Sequence, residues 1–188
     1  MKNSHELLRP DQAVLVVVDV QEKLVPAIFE KERVVQNTAL MIECAKILNV
    51  PILLTQQYPQ GLGVTLPALR KLLPDTVKPI DKTEFGCFNN PEFHAAIQEQ
   101  KPHRNTLLVA GIESHICVTQ TVLGALQEGF HVHVASDATS SRTPFNWKIG
   151  LDRMGEAGAL MSSTEMIVYE LLGRSGTPEF KAMLSHLK

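Results

Sequence analysis

The stretch that decides the fold is residues 107–118, Leu-Leu-Val-Ala-Gly-Ile-Glu-Ser-His-Ile-Cys-Val. Its first half is an apolar run typical of a buried strand, and the residues after Gly111 lead into a helix. Cys117 lies near the start of that helix, where unpaired N–H groups and the helix dipole favour a reactive thiolate. Taken alone, a cysteine in an apolar helix is more often a small core residue. The stretch therefore predicts a strand, a turn and a helix that carries a candidate nucleophile.

Strands and helices alternate along the rest of the chain. Further strands are expected at residues 13–18, 51–55, 76–81, 131–136 and 159–162, and helices at about 33–48, 67–73, 91–100, 146–156 and 164–172. Six alternations with short connections predict an α/β fold, a three-layer αβα sandwich doubly wound around a six-stranded, mostly parallel sheet of Rossmann-like type. We expect one domain over residues 1–188, with an N-terminal arm at 1–12 that contains a short helical turn near Glu6. A C-terminal helix at 178–188 is expected to pack on the body or on a neighbouring subunit.

The composition of the chain limits the classes of partner that it is expected to bind. The chain has 188 residues, of which 44% are hydrophobic, enough for one well-formed core. It carries 18 basic and 20 acidic residues with no basic block, which argues against nucleic acid and anionic membranes. No apolar run approaches the roughly 18 residues of a transmembrane helix, and no signal peptide is visible. Three cysteines without a CxxC pair favour reduced thiols, no zinc site and a cytoplasmic location.

Two more residues stand at predicted strand ends. Asp19 follows six consecutive apolar residues, and Lys82 follows the third predicted strand. In doubly wound sheets ligands bind beyond the carboxyl ends of the strands, so both residues can share a crevice with the turn before Cys117. The alternatives are that Asp19 caps loop N–H groups or binds magnesium, and that Lys82 is a surface lysine.

The remaining polar residues favour structural roles. His115 is two residues before Cys117, and on a helix these positions point about 200° apart, so we do not expect it to act as the base. Cys44 lies mid-helix and is expected in the core, whereas Cys87 lies in an aromatic loop and could line a pocket. Residues 137–142 are predicted to form a polar loop in which Asp137 accepts backbone hydrogen bonds.

Three segments in the same order resemble the isochorismatase-like cysteine hydrolases. They are residues 17–21 around Asp19, residues 81–88 and residues 111–118, and the likeness extends from about residue 13 to residue 172. Residues 57–63 and 137–142 are similar to the isochorismatase-domain-containing branch, whose members mostly have no assigned substrate. Three motifs in register are far more specific than any one of them.

The resemblance implies a role for each strand-end residue. Cys117 would be the nucleophile, Asp19 the general base and Lys82 a stabilising cation. Backbone N–H groups of Glu113 and Cys117 would form an oxyanion hole, next to a non-proline cis peptide between Ile112 and Glu113. The candidate substrate-binding residues are Gln21, Leu24, Tyr58, Phe85 and Phe88.

The resemblance also implies a reaction class. Relatives that hydrolyse nicotinamide carry an Asp-x-His metal motif after the second strand, whereas this chain has Thr-Gln-Gln-Tyr at 55–58, so no metal or other cofactor is expected. Isochorismate cleavage in the family does not need the cysteine, so Cys117 favours hydrolysis of a small amide or related C–N bond. We expect a homo-oligomeric enzyme with a small-molecule substrate. The alternatives are a redox-responsive or ligand-binding protein without turnover, and a structural assembly subunit.

Overall fold

A six-stranded sheet forms the centre of the computed structural model, which describes residues 6–187. The strands are β1 (Ala13–Val18), β2 (Ile52–Gln57), β3 (Pro79–Lys82), β4 (Thr106–Ile112), β5 (His131–Ser140) and β6 (Leu160–Ser162). Their order is β3-β2-β1-β4-β5-β6, and every neighbouring pair is parallel. The order reverses between β1 and β4, so a crevice opens there beyond the carboxyl ends of the strands. The predicted doubly wound α/β fold is confirmed.

Helices cover both faces of the sheet. They are α1 (Lys31–Ile47), α2 (Pro59–Leu62), α3 (Pro67–Arg70), α4 (Pro91–Gln100), α5 (Thr119–Gln127), α6 (Pro144–Ala157), α7 (Thr164–Leu172) and α8 (Pro178–Met183). Four of them begin at a polar residue whose side chain accepts a backbone N–H from the first turn. These caps are Asn90, Thr143, Ser163 and Thr177. Within residues 6–187, no helix is both long and apolar enough to cross a membrane.

The apolar run of β1 divides the core into two clusters. Ala13, Leu15 and Val17 face one cluster, which also contains buried residues of α1, α7 and α8. The alternate residues of β1 face a second cluster with buried residues of α4, α5 and α6. Because successive side chains of a strand point to opposite faces, a strand covered on both sides needs apolar residues at every position. This explains why the run shows no polar alternation.

The fifth strand is longer than its sequence predicts. The expected strand ends before Asp137, but β5 continues to Ser140, and residues 137–140 are therefore not a loop. The strand continues because its backbone resumes pairing with β4 after a register shift near Gly111. Its polar side chains find partners inside the fold, and Oδ1 of Asp137 accepts the backbone N–H of Thr164 at 2.7 Å. The predicted role of Asp137 as an acceptor is confirmed.

Element ends near the termini also differ from the prediction. No helical turn forms near Glu6, and a 3₁₀ helix begins at Pro10 instead. Residues 1–5 and 188 of the predicted arm and C-terminal helix lie outside the described residues. The strand expected from residue 76 begins only at Pro79, because proline lacks the N–H that would extend the ladder. The C-terminal helix ends at Met183, which is fully buried against the body, while Leu184 beyond it is exposed.

Glycine is required where β4 passes β1. Gly111 has φ +124°, and a Cβ built there would lie 2.0 Å from the carbonyl oxygen of Val18. No larger residue can occupy this position without moving one of the two central strands. This close approach brings Asp19, the residue after β1, next to the turn that follows β4.

Candidate active site

Asp19 follows β1 directly and is fully buried. Its backbone is left-handed, with φ +52°, an unfavourable conformation for a non-glycine residue that is often found at functional sites. Both carboxylate oxygens accept hydrogen bonds, Oδ1 from the hydroxyl of Thr55 at 2.7 Å and Oδ2 from Nζ of Lys82 at 2.7 Å. The carboxylate is therefore held in one orientation at the reversal point of the sheet.

Lys82 ends β3, and its side chain is completely buried rather than on the surface. Besides Asp19, its ammonium donates to Oε1 of Gln57 at 2.6 Å and to the carbonyls of Glu84 and Phe85 at 3.2 and 3.3 Å. Burial by itself would lower the pKa of Lys82, but the negative charge of Asp19 and the nearby thiols outweigh it and raise the pKa above its ordinary value. The side chain is therefore a permanent buried cation.

Cys117 lies in a π-helical turn, residues 114–118, between β4 and α5. Only 7% of the residue is exposed. Burial, the charge of Asp19 and a hydrogen bond to that carboxylate raise the pKa of the thiol to about 12, while Lys82 lowers it. The expectation of a thiolate favoured by the helix start was wrong, because burial and the negative charge of Asp19 raise the pKa of the thiol. The resting thiol is therefore neutral.

The peptide bond between Ile112 and Glu113 is cis. The carbonyl of Glu113 accepts the N–H groups of Ile116 and Val118 at 3.1 and 3.2 Å, which closes the turn around the cysteine. The Glu113 carboxylate accepts both the backbone N–H and Nε of Arg142, at 3.0 and 3.1 Å. The turn is therefore held by hydrogen bonds of its own backbone and by Arg142, which lies two residues after the end of β5.

Two further contacts position this turn, and the sequence patterns did not point to them. The hydroxyl of Ser141 lies 2.7 Å from that of Ser114 and 2.9 Å from Nδ1 of His115. His115 therefore has a hydrogen-bond partner on the residue after β5. Helix α6 packs on the turn at Gly150, where a Cβ would lie 2.8 Å from the backbone of Ser114. The only available signal was the glycine inside a helix, which usually has a packing reason.

The architecture and the site can be compared with known proteins. The chain matches the family model of the Isochorismatase domain over residues 13–166. The chain belongs to the isochorismatase family. It is 39% identical to the secreted isochorismatase effector Isc1 of Phytophthora sojae, covering 96% of this chain and 87% of that protein. It is 36% identical to mouse isochorismatase domain-containing protein 2A, covering 95% of this chain and 84% of that protein. The predicted family is confirmed.

Solved structures of isochorismatase-like proteins superpose over almost the whole chain. MAR1 ribonuclease from Caenorhabditis elegans has a TM-score of 0.90 at 32% identity, covering 97% of this chain and 92% of its own. YcaC from Pseudomonas aeruginosa, solved with hexane-2,5-diol and covalent acrylamide, has 0.89 at 25%, with coverages of 98% and 93%. Escherichia coli YcaC, described as an octameric hydrolase of unknown specificity, has 0.90 at 25%, with 98% and 92%.

The candidate substrate-binding residues of this isochorismatase-family chain fall into two groups. Tyr58 and Phe85 are about half exposed, at 53% and 54%, on the loops that follow β2 and β3. Tyr58 lines a cleft of about 190 Å³ together with Lys82 and Glu84. These two aromatic residues are therefore available to a ligand near the buried cation.

The other three candidates have packing roles. Gln21 is fully buried, and its amide bonds the backbone of Gln57 and Gly63. Leu24 is half-buried against the first core cluster. Phe88 packs its ring against those of Phe93, His94 and Phe130, at centroid distances of 5.4 to 6.5 Å. These contacts account for Gln21 and Phe88 without a ligand, and sequence spacing alone could not reveal them.

The two other thiols are both inaccessible. Cys44 is buried in α1, as predicted, and burial raises its pKa to about 12. Cys87 is fully buried with its Sγ 3.9 Å from the hydroxyl of Thr55, and burial followed by the charge of Asp19 raises its pKa to about 11. Cys87 therefore lies behind Asp19 and is not presented to a ligand, in contrast to the predicted pocket position. Within residues 6–187, no group of three or more His, Cys, Asp or Glu side chains could hold a metal ion.

Proposed function

We propose that this member of the isochorismatase family is a cysteine hydrolase that cleaves a small amide or related C–N bond. Cys117 is the nucleophile, Asp19 the general base and Lys82 the stabilising cation. The observation that carries the proposal is the fully buried Asp19–Lys82 ion pair, at 2.7 Å, both of whose charges act on the Cys117 thiol. A buried thiol beside a buried base and cation is the arrangement that nucleophilic catalysis requires.

The neutral thiol sets the first step. Because its pKa is about 12, Cys117 must lose its proton to a base as it attacks, and Asp19 is the carboxylate whose charge acts on the thiol. Sγ forms a bond to the carbonyl carbon while the proton passes to the carboxylate. The negative charge that develops on the carbonyl oxygen is stabilised by the backbone N–H groups of Glu113 and Cys117.

The second step restores the enzyme. Protonated Asp19 donates its proton to the leaving nitrogen as the C–N bond breaks, which leaves a thioester on Cys117. A water molecule then attacks the thioester carbon and gives a proton to Asp19. The C–S bond breaks, the carboxylic acid leaves, and the proton returns from Asp19 to the thiolate. All atoms come from the substrate, one water molecule and the protein.

Lys82 contributes charge rather than protons. Its ammonium has three N–H donors and four oxygen acceptors within 3.3 Å, so its hydrogen-bonding capacity is already used by the protein. In a site with little water, a fixed positive charge stabilises the thiolate that forms during attack. The proposal therefore assigns no proton transfer to Lys82.

The substrate in this proposal is small. The cleft next to Lys82 has a volume of about 190 Å³ and is lined by Tyr58 and Glu84, while the half-exposed ring of Phe85 lies on the loop that follows β3. The P. aeruginosa YcaC structure contains covalent acrylamide, an electrophile that forms adducts with nucleophilic side chains, which supports a nucleophile in this fold. The test therefore uses a panel of small amides.

The test measures amide cleavage and adduct formation together. The purified protein is incubated with a panel of small primary and secondary amides, released amine is assayed, and intact mass records any acyl-enzyme. We expect turnover of at least one member and an adduct on Cys117. Turnover or adducts that survive Cys117→Ala would contradict the proposal. The panel should include RNA, because the C. elegans structural relative is described as a ribonuclease.

A second candidate function is redox response or ligand binding without turnover. The observation in its favour is that the charges of Asp19 and Lys82 shift the pKa values of two thiols, those of Cys87 and Cys117. This alternative predicts peroxide oxidation at Cys117 with no cleavage of any panel member. Cleavage lost in Cys117→Ala would favour the hydrolase.

We also propose a cytoplasmic homo-oligomer. An isochorismatase-like structure with 25% identity is octameric, and helix α6 of this chain exposes Phe145 and Ile149, at 72% and 48%, four residues apart on one face. Three buried free thiols are suited to a reducing compartment. Light scattering should give a mass well above 20.8 kDa, and a monomer at micromolar concentration would contradict the oligomer.

A further inference from the structure

Two consecutive buried glutamines end strand β2 and point to opposite faces of the sheet. Gln56 accepts the N–H and hydroxyl of Thr65 at 2.7 and 2.9 Å and donates to Oδ1 of Asp81 at 2.9 Å. Gln57 accepts from Lys82 at 2.6 Å and donates to the carbonyl of Thr83 at 2.9 Å. The two residues have the same chemistry and similar exposure, 6% and 8%, but only Gln57 contacts the ion pair.

The amide of Gln57 can have only one orientation. Its NH₂ group faces the carbonyl of Thr83, and its oxygen faces the ammonium of Lys82. The reverse orientation would place an NH₂ group against an ammonium and an oxygen against a carbonyl. Gln57 is therefore a fixed acceptor for the buried cation.

The backbone of Gln57 is fixed as well. Its N–H donates to Oε1 of Gln21 at 2.7 Å, and its carbonyl accepts from Nε2 of Gln21 at 2.9 Å. The amide of Gln21 thus pairs with both backbone polar groups of Gln57. A rigid strand end allows the Gln57 side chain to restrain the position of the ammonium rather than follow it.

The Lys82 ammonium depends on this acceptor. Its two shortest contacts, at 2.6 and 2.7 Å, are with Gln57 and Asp19, whereas the two backbone carbonyls lie at 3.2 and 3.3 Å. Without Gln57 the ammonium keeps one short hydrogen bond, to Asp19, and two long ones, so it can regain a second short hydrogen bond only by moving.

We propose that Gln57 is a positioning residue that holds the Lys82 ammonium where its charge acts on the Cys117 thiol. Gln57 has no part in bond making. This inference rests on the proposed function, because it assigns Gln57 to the same reaction. It differs from a general structural role in one respect: the loss of Gln57 should alter the ionisation of Cys117, whereas the loss of Gln56 should not.

The experiment follows the alkylation of Cys117 by iodoacetamide, which needs no knowledge of the substrate. Rates are measured by intact mass between pH 7 and pH 10 for the full chain, for Gln57→Leu and for the matched control Gln56→Leu. At pH 8 we expect alkylation of Gln57→Leu to be about 10-fold slower, because a thiol pKa about one unit higher leaves tenfold less thiolate. Gln56→Leu should alkylate within about twofold of the native rate.

A second variant covers the case in which Gln57→Leu does not fold. Gln57→Asn keeps the amide group, but its side chain is one methylene shorter and draws the oxygen away from Lys82. We expect its alkylation at pH 8 to slow in the same direction. Folded Gln57→Leu or Gln57→Asn with the native alkylation rate would overturn the inference, and so would an equal effect of Gln56→Leu.

The readouts separate this inference from the proposed function. If the native protein cleaves no amide on the panel but the Gln57 variants alkylate more slowly, the proposed hydrolysis fails and the positioning role stands. If amides are cleaved and alkylation is unchanged in folded Gln57 variants, the hydrolase stands and the positioning role fails.

Discussion

Nζ of Lys82 lies 2.7 Å from Oδ2 of Asp19, although 63 residues separate them along the chain. Both side chains are completely buried, so neither charge can be compensated by water if its partner is lost. The pair therefore couples two strand ends, one after β1 and the other at β3, and it makes stability depend on the same residues as the proposed chemistry.

Breaking this pair should destabilise the protein strongly. We expect Lys82→Met to lower the free energy of unfolding by about 3–5 kcal/mol, because it leaves a buried carboxylate without its cation. The double variant Lys82→Met/Asp19→Asn should cost less than the sum of the two single changes, since it leaves no unpaired charge. Urea denaturation of the four proteins measures the coupling.

The control is an exposed ion pair of similar length. Lys148 and Asp152 lie 2.8 Å apart on α6, with side chains 73% and 52% exposed. Lys148→Ala should change the free energy of unfolding by less than about 1 kcal/mol, as is usual for surface pairs. A loss at Lys82 no larger than the loss at Lys148 would refute the argument from burial.

Asp19→Asn should separate thiol reactivity from turnover. The charge of Asp19 raises the pKa of Cys117, so its removal leaves a more acidic thiol next to Lys82. We expect iodoacetamide alkylation at pH 8 to be as fast as in the native protein or faster. Amide cleavage should fall by at least about 100-fold, because no group takes and returns the proton. Parallel loss of both activities would count against a general-base role.

Gly150→Ala should disturb the cysteine turn without unfolding the protein. A Cβ at Gly150 would lie 2.8 Å from the backbone carbon of Ser114, so α6 must move away from the turn. The expected result is slower alkylation of Cys117 and a loss of unfolding free energy of about 1–3 kcal/mol from overpacking. Alkylation kinetics and urea denaturation provide the two measurements.

Gly155→Ala is the matched control on the same helix. Its Cβ would meet only the side chain of Met161, at an ordinary 3.8 Å. Alanine is preferred to glycine inside a helix by about 1 kcal/mol, so this change should leave alkylation unaltered and stabilise the protein slightly. Equal effects at Gly150 and Gly155 would mean that the contact with Ser114 is unimportant.

Cys44 should make the fold sensitive to alkali. Its pKa is raised from 9.0 to about 12 in the folded protein, so the protonated thiol favours folding. That stability is fully present below pH 9 and is lost as the pH rises from 9 towards 12. The slope is about 1.4 kcal/mol per pH unit for one such thiol.

Cys44→Val removes this one titration and retains an apolar side chain in the core. We expect the unfolding free energy of the variant to fall less between pH 9 and pH 10.5 than that of the native protein. Urea midpoints at three pH values provide the measurement. Identical pH slopes for the two proteins would show that Cys44 titrates normally in the fold.

Local sequence patterns predicted the order of elements well, because apolar runs and helix caps act over a few residues. The run at 13–18 coincides with β1, and the helix expected at 91–100 coincides with α4. They failed at residues 137–140, where polar side chains indicated a loop. Pairing with β4 decided that segment, and a contact between distant strands leaves no local signature.

The sequence by itself determined the family, the doubly wound fold and the three strand-end residues Asp19, Lys82 and Cys117, since strand ends and motif spacing are written along the chain. Only the tertiary structure decided their electrostatics. A helix start predicts an acidic thiol, but burial beside Asp19 raises the pKa of Cys117 to about 12. Gln57 acquires its contact with Lys82 in the same way. Burial and charge depend on which distant residues surround a group, and those neighbours exist only when the sheet has formed.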